Sequence, residues 1–215
     1  VLLILFIYPI SLNQNIYAEN EENELFLVAQ KAFDDGFYDV ATRYITQFLE
    51  KYPQTLKRIE ANLLLGQCYF FKGQYLKAFD IFQSLLPFPE FKDVTLYWLG
   101  ETYLKGSDFK QAEKQYRQLI EVYPNSFYAP QAYYSLGWTL FDQKNHEAAK
   151  DVLNQFVRKY PAHELIEDSL FKIAECEHYL RAYENAITYF QDYLKRFPQS
   201  SRHDQAYFYM AESHY

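Results

Sequence analysis

Apolar positions recur at three- and four-residue intervals through most of this chain, the spacing of one face of a helix. Between residues 93 and 124, Leu96, Leu99, Tyr103 and Leu104 keep that spacing. Gly106 to Asp108 interrupts it, and Phe109, Ala112, Tyr116, Leu119 and Ile120 resume it. Pro124 then stops it, because proline lacks the amide hydrogen a helix needs. The pattern predicts two helices joined by a tight turn, and the same pair recurs. Ala41, Ala78, Ala112, Ala149 and Ala186 stand 37, 34, 37 and 37 residues apart. A second small slot holds Ala29, Gly66, Gly100, Gly137, Ala174 and Ala211. Pro53, Pro124, Pro161 and Pro198 each follow an aromatic residue. Self-similarity at this period means stacked helix pairs, each burying a face that it cannot bury alone.

The period assigns roles to other residues. Small slots let two backbones approach, and large residues fill the space around them. On first helices these are Val28, Leu65, Leu99, Leu136, Ile173 and Met210; on second helices, Ile45, Phe82, Tyr116, Leu153 and Phe190. Gly36, Gly73 and Gly106 mark the turns within pairs, where a left-handed backbone is easy for glycine. Asn145 is the fourth such residue, and Arg181-Ala182 predicts a strained turn in the fifth pair. Thr55, Ser126 and Ser200 or Ser201 read as helix caps after the prolines. The 37-residue steps predict an extra turn on the next first helix. The second repeat, with Pro87 and Pro89, predicts a shorter link and a local kink.

Composition narrows the class. Hydrophobic residues make up 49% of the 215 and aromatics 20%, which excludes a disordered chain. The formal charge of −7, with both signs interspersed, argues against a nucleic-acid partner. Residues 1–12, VLLILFIYPISL, are uncharged and too short to span a bilayer comfortably. They read as the hydrophobic part of a secretory signal, residues 1–18, with cleavage after Ala18, or alternatively as a hydrophobic first helix or an uncleaved anchor. A short acidic linker, 19–21, follows. Cys68 and Cys176 occupy equivalent slots three repeats apart, so they read as buried packing residues rather than a disulfide. Neither follows Ala18 as a lipidation cysteine would.

Leu96, Leu99, Gly100, Tyr103, Ala112, Tyr116 and Pro124 together resemble the tetratricopeptide repeat. The resemblance implies an all-α solenoid of stacked helix-turn-helix repeats winding as a right-handed superhelix. It covers five repeats, about 22–58, 59–92, 93–129, 130–166 and 167–203, and the first helix of a sixth at 204–215. Further repeats or a capping helix are expected after it. The longer unit, with Tyr123-Pro124-Asn125-Ser126 ahead of the next helix, is similar to repeats of bacterial cell-envelope proteins. Two groups share it: outer-membrane assembly lipoproteins and the periplasmic repeat protein associated with the Tol–Pal system. A second-helix slot usually holding Ala in this family holds Phe48, Leu85, Leu119, Phe156 and Tyr193, which implies wider helix spacing. Asn62 and Glu177 stand where large apolar residues are expected, and Glu177 is placed to pair with Arg181 one turn on.

By this resemblance a groove is lined by the first helices. Tyr97, Tyr134, Trp138, Phe141, Phe171, Tyr179 and Phe208 are expected there, with Glu101, Glu175 and Glu212 as acidic points. Such a groove suits an apolar or aromatic peptide carrying a basic residue. Clamping a C-terminal carboxylate would need a cluster of cations, for which only Lys105 and Lys172 are candidates. There is no phosphate loop, nucleophile elbow or His-Glu-x-x-His. Glu175 and His178 have a metal-motif spacing without the second copy that such sites need. The reading is a non-catalytic scaffold, periplasmic or secreted, with no cofactor and no metal. It binds a protein or peptide, with at most indirect membrane association. Two alternatives remain: a carbohydrate or peptidoglycan binder using rings as stacking platforms, and a regulatory part of a larger protein.

Overall fold

A computed structural model describes residues 8–214. The secretory-signal reading falls partly outside: residues 1–7 are not among the described residues, and residue 8 onward is helical. The described residues form eleven α-helices in two compact units, up to Thr95 and from Leu96. No helix among them is long and apolar enough to cross a membrane.

The first unit contains α1 (Tyr8–Asp34), α2 (Tyr38–Lys51), α3 (Arg58–Phe71) and α4 (Tyr75–Leu85). A 3₁₀ turn, Pro89–Phe91, leads into α5 (Lys92–Lys105), whose first residues close the unit. Each helix packs on the next, α1 on α2, α2 on α3 and α3 on α4. The core is the expected one: Ala29, Ala41, Ile45, Phe48 and Cys68 are fully buried. Each large apolar side chain so buried contributes about 1.5–3 kcal/mol. Burial also pushes the Cys68 thiol up to about 11, so it packs as an inert neutral group. Val28, expected to fill the core, is instead exposed.

The second unit contains the rest of α5, then α6 (Phe109–Val122), α7 (Ala129–Asp142) and α8 (His146–Lys159). It ends with α9 (Ile166–Tyr179), α10 (Tyr183–Arg196) and α11 (His203–His214). Successive helices from α6 to α11 pack on one another. Ala112, Ala149 and Ala186 are fully buried, as are Tyr116, Leu153 and Phe190. The glycine slots have a steric cause. A Cβ on Gly100 would lie 2.5 Å from the Tyr116 ring, and one on Gly137 would lie 2.5 Å from Leu153. In the first unit a Cβ on Gly66 would meet Phe82 at 2.6 Å. One large residue of the second helix therefore sits directly on the backbone of the first.

The turns correct the expected register. Positive φ recurs at Gly36, Gly73, Ser107, Lys144 and Arg181, one residue after Gly106 and one before Asn145. In each, the next amide reaches back five residues, as Gln74 does to Tyr69 and Asn145 to Leu140, the hydrogen bond of a Schellman motif. Asn145 and Asp108 instead cap the following helix, accepting from Ala148 and Gln111 amides. The strained Arg181 turn is as expected, with φ +61°.

The residues read as caps after the prolines close a separate turn. Thr55 Oγ1, Ser126 Oγ and Ser200 Oγ accept from the amides two residues on, and no side chain caps α3 or α7. The added residues of the 37-step do extend a helix, but the second one of each pair rather than the next first helix, and α3, α5, α7 and α9 are all equally long. The missing three of the 34-step lie in α4, which has 11 residues against 14 in α2, α6, α8 and α10. Its link onward is as long as the others, so the expected short link is not there.

Candidate functional site

The period that buries one face of the first helices leaves another free, and in the second unit that face is polar and aromatic. Positions 37 residues apart fall at the same height on successive first helices. One column runs Tyr97, Tyr134, Phe171, Phe208; a second runs Trp98, Ser135, Lys172, Tyr209; a third runs Glu101, Trp138, Glu175, Glu212. The second and third columns meet across each gap. Ser135 Oγ donates to Glu101 Oε1 at 2.7 Å. Lys172 Nζ lies 3.7 Å from the centre of the Trp138 ring and 4.1 Å from that of Phe141. Tyr209 Oη donates to Glu175 Oε1 at 3.0 Å. Every rung joins residues 34 apart, one first helix to the next.

Between α5 and α7 the rung leaves a pocket of about 410 Å³. Glu101, Tyr134 and Trp138 line it with Ser135, Phe109 and Asp142. Lys105, Leu104 and Ser107 complete the rim. Tyr116 Oη also donates to Glu101 Oε1, at 2.8 Å. Burial, and then Glu101 beside it, hold Tyr116 far above the usual phenol range, so it stays a neutral donor. Tyr134 and Trp138 are half-buried, their ring centres 6.0 Å apart. Burial, and then the Asp168 carboxylate, push the Tyr134 phenol up to about 12.

The other expected groove residues divide. Tyr97 stacks on Tyr128 at 5.1 Å and does not line the pocket. Phe141 and Tyr179 bracket His146, whose ring stacks on Tyr179 at 5.0 Å. Burial, then Lys144 and Lys172, lower the His146 pKa. Phe208 is exposed beside a second pocket, of about 420 Å³, between α9 and α11. Two residues depart from the expectation. Phe171 is 2% exposed and belongs to the core, packed by Phe190, Tyr193 and Tyr209. Glu175 is 8% exposed, and Lys172 neutralises it at 2.5 Å, so it is not an open acidic point. Glu177 is buried against Lys150 at 3.5 Å, not Arg181, which the turn carries away. Glu175 and His178 also diverge, His178 turning to Ser213 and Glu212.

Three regions of the chain match family models. Residues 28–91 and 168–200 match models of the tetratricopeptide repeat, and residues 89–171 match the outer membrane lipoprotein family YfiO. Residues 28–91 and 168–200 are tetratricopeptide repeats. Solved structures agree on the fold. A tetratricopeptide-repeat protein from Parabacteroides merdae superposes with a TM-score of 0.73 at 16% identity, over 89% of this chain and 74% of that one. MamA from Desulfovibrio magneticus RS-1 gives 0.70 at 17% identity, over 84% of this chain and 97% of that one. A search of the curated proteins found no match.

Tetratricopeptide-repeat proteins are generally non-catalytic scaffolds for protein partners. Sequence reasoning missed Ser135 and Asp142 here, and weighed Lys172 only as a carboxylate clamp. The signal was present. Advancing one repeat from Glu101, Trp138 or Glu175 and stepping back three residues gives the partner on the next helix.

Proposed function

We propose that this chain is a non-catalytic interaction scaffold of the bacterial cell envelope that holds a peptide or protein segment along the first helices of its second unit. The observation that carries the reading is the α5–α7 pocket, where half-buried rings and acidic groups line one cavity. Rings in a partly dry cleft supply binding energy, and polar groups set register. The envelope assignment draws on two supports: the apolar run ahead of an acidic stretch, and the lipoprotein-family match over 89–171, which spans the pocket.

The test is a pull-down from solubilised envelope and from cytosol, with the native chain and a Tyr134→Ala/Trp138→Ala variant. The expected result is a partner captured from envelope and lost with the variant, at unchanged helical circular dichroism. Equal capture by both chains would remove the pocket from the reading. Residues 1–24 fused to a phosphatase that is active only outside the cytoplasm test the location. An inactive fusion would count against export.

A further inference from the structure

We propose that the α5–α7 pocket receives a lysine side chain from a partner peptide, its ammonium group seated between Glu101 and Trp138. This rests on the peptide-holding reading and gives one of its subsites a chemistry.

The chain contains its own template. Lys172 fills the gap between α7 and α9 and is 5% exposed. Its ammonium lies over Trp138 and Phe141 and pairs with Glu175. One repeat earlier, the counterpart of Lys172 is Ser135, that of Phe141 is Leu104, and those of Trp138 and Glu175 are Glu101 and Trp138. Each gap is therefore bounded by one acid and one indole. In the α7–α9 gap the indole is on the earlier helix and the acid on the later; in the α5–α7 gap they are exchanged.

The gaps differ in what fills them. A lysine closes one. Serine is three atoms shorter at least, reaches only Glu101, and leaves the pocket open. Both hydroxyl bonds to Glu101 fall on Oε1, and no bond to Oε2 occurs among the described residues. An ammonium group there would gain a charge-assisted hydrogen bond beside the same indole that takes the Lys172 ammonium. Leu104, Phe109 and Tyr134 offer apolar surface for the alkyl stem. The lining has two carboxylates, Glu101 and Asp142, and one cation, Lys105, so its balance favours a positive guest.

The experiment follows the Trp138 indole N–H resonance of the ¹⁵N-labelled full chain, assigned by its loss in Trp138→Phe. Three probes are titrated: acetyl-Leu-Lys-Leu-amide, the same peptide with norleucine for lysine, and n-butylammonium. The lysine peptide is expected to move the resonance saturably and to bind about tenfold or more tighter than the norleucine peptide. Glu101→Gln, which keeps an acceptor for Tyr116 and Ser135, should erase that preference. Ser135→Lys should fill the pocket from within and abolish the response without lowering the melting temperature. Should Glu101→Gln lose its helical signal, Ser135→Lys decides.

Equal binding of both peptides, or a lysine preference that survives both substitutions, would overturn the lysine assignment and leave the peptide-holding reading standing. Saturable, Ser135→Lys-sensitive binding of n-butylammonium with no response to either peptide would uphold the pocket's chemistry and count against the peptide reading. No response to any of the three overturns the lysine site, while the envelope pull-down still tests the scaffold.

Discussion

The two units share a packing scheme and differ in what they present. In both, a glycine on a first helix takes a large side chain from the second helix onto its backbone: Phe82 on Gly66, Tyr116 on Gly100, Leu153 on Gly137. The faces diverge. The first unit has Gln30 and Gln67 where the second has Glu101, Trp138, Glu175 and Glu212, and Leu27 and Leu64 where it has Trp98, Ser135, Lys172 and Tyr209. The turns diverge too. The first unit uses Gly36 and Gly73 at positive φ, whereas the second puts Ser107, Lys144 and Arg181 there. Packing and presentation are thus separable properties of one repeat. The inward slots vary little, while the outward columns carry the differences that could select a partner.

The largest effect is expected where the second unit buries charge. Glu175→Ala strands Lys172 beneath two rings and should destabilise the chain by about 3–5 kcal/mol. The exposed counterpart Gln30→Ala should change stability by less than about 0.5 kcal/mol. Guanidinium unfolding of both variants makes the comparison. Equal midpoints would show that the columns are not distinct after all.

Next come the shared slots. Gly66→Ala and Gly137→Ala should each cost about 1–3 kcal/mol, since the added methyl meets a packed side chain in either unit. Ala149→Leu should fall in the same range, because Ala149 is fully buried at a helix contact. A neutral result at one glycine and a large one at the other would mean that the units pack differently.

The turns should respond with the opposite sign. Lys144→Gly and Arg181→Gly relieve a side chain from a left-handed backbone and should stabilise by about 1 kcal/mol each. Unchanged melting would show that these turns are already relaxed by their surroundings.

The smallest effect concerns pH. The folded pKa of His146 lies below its ordinary value of 6.5. The neutral ring therefore favours the fold above about that pH, and this contribution is lost as pH falls through the folded pKa. The native chain should lose more melting temperature from pH 7 to 5 than His146→Gln does. Parallel curves would dismiss the histidine.

Much of this was legible in the sequence because it is periodic. Small slots repeat at a fixed step, and burial follows from that step alone, so Ala41 through Ala186 read correctly as core. Details set by neighbours were harder. Phe171 shares a column with the half-buried Tyr134, yet Phe190, Tyr193 and Tyr209 enclose it, and no local pattern announces them. Glu175 looked like an open acid until Lys172, three residues earlier, turned back onto it. The turn register was misread because Gly and Asn favour a left-handed backbone. Here Asn145 serves the next helix as a cap, and the period imposes the strained backbone on Lys144 instead.

The rungs that join positions 34 residues apart have an evolutionary consequence. Consider the loss of residues 130–166, one whole 37-residue unit. Position 172 would slide into the place of Ser135, and Lys172 would face Glu101 directly, an acid against a base. The inward slots would also stay in register, Ile173 replacing Leu136 and Phe190 replacing Leu153. A chain that gained or lost this unit would trade an open pocket for a closed ion pair in one step, with its core intact. Unequal crossing-over, which changes repeat number, could thereby open or close this pocket without passing through an unfolded ancestor.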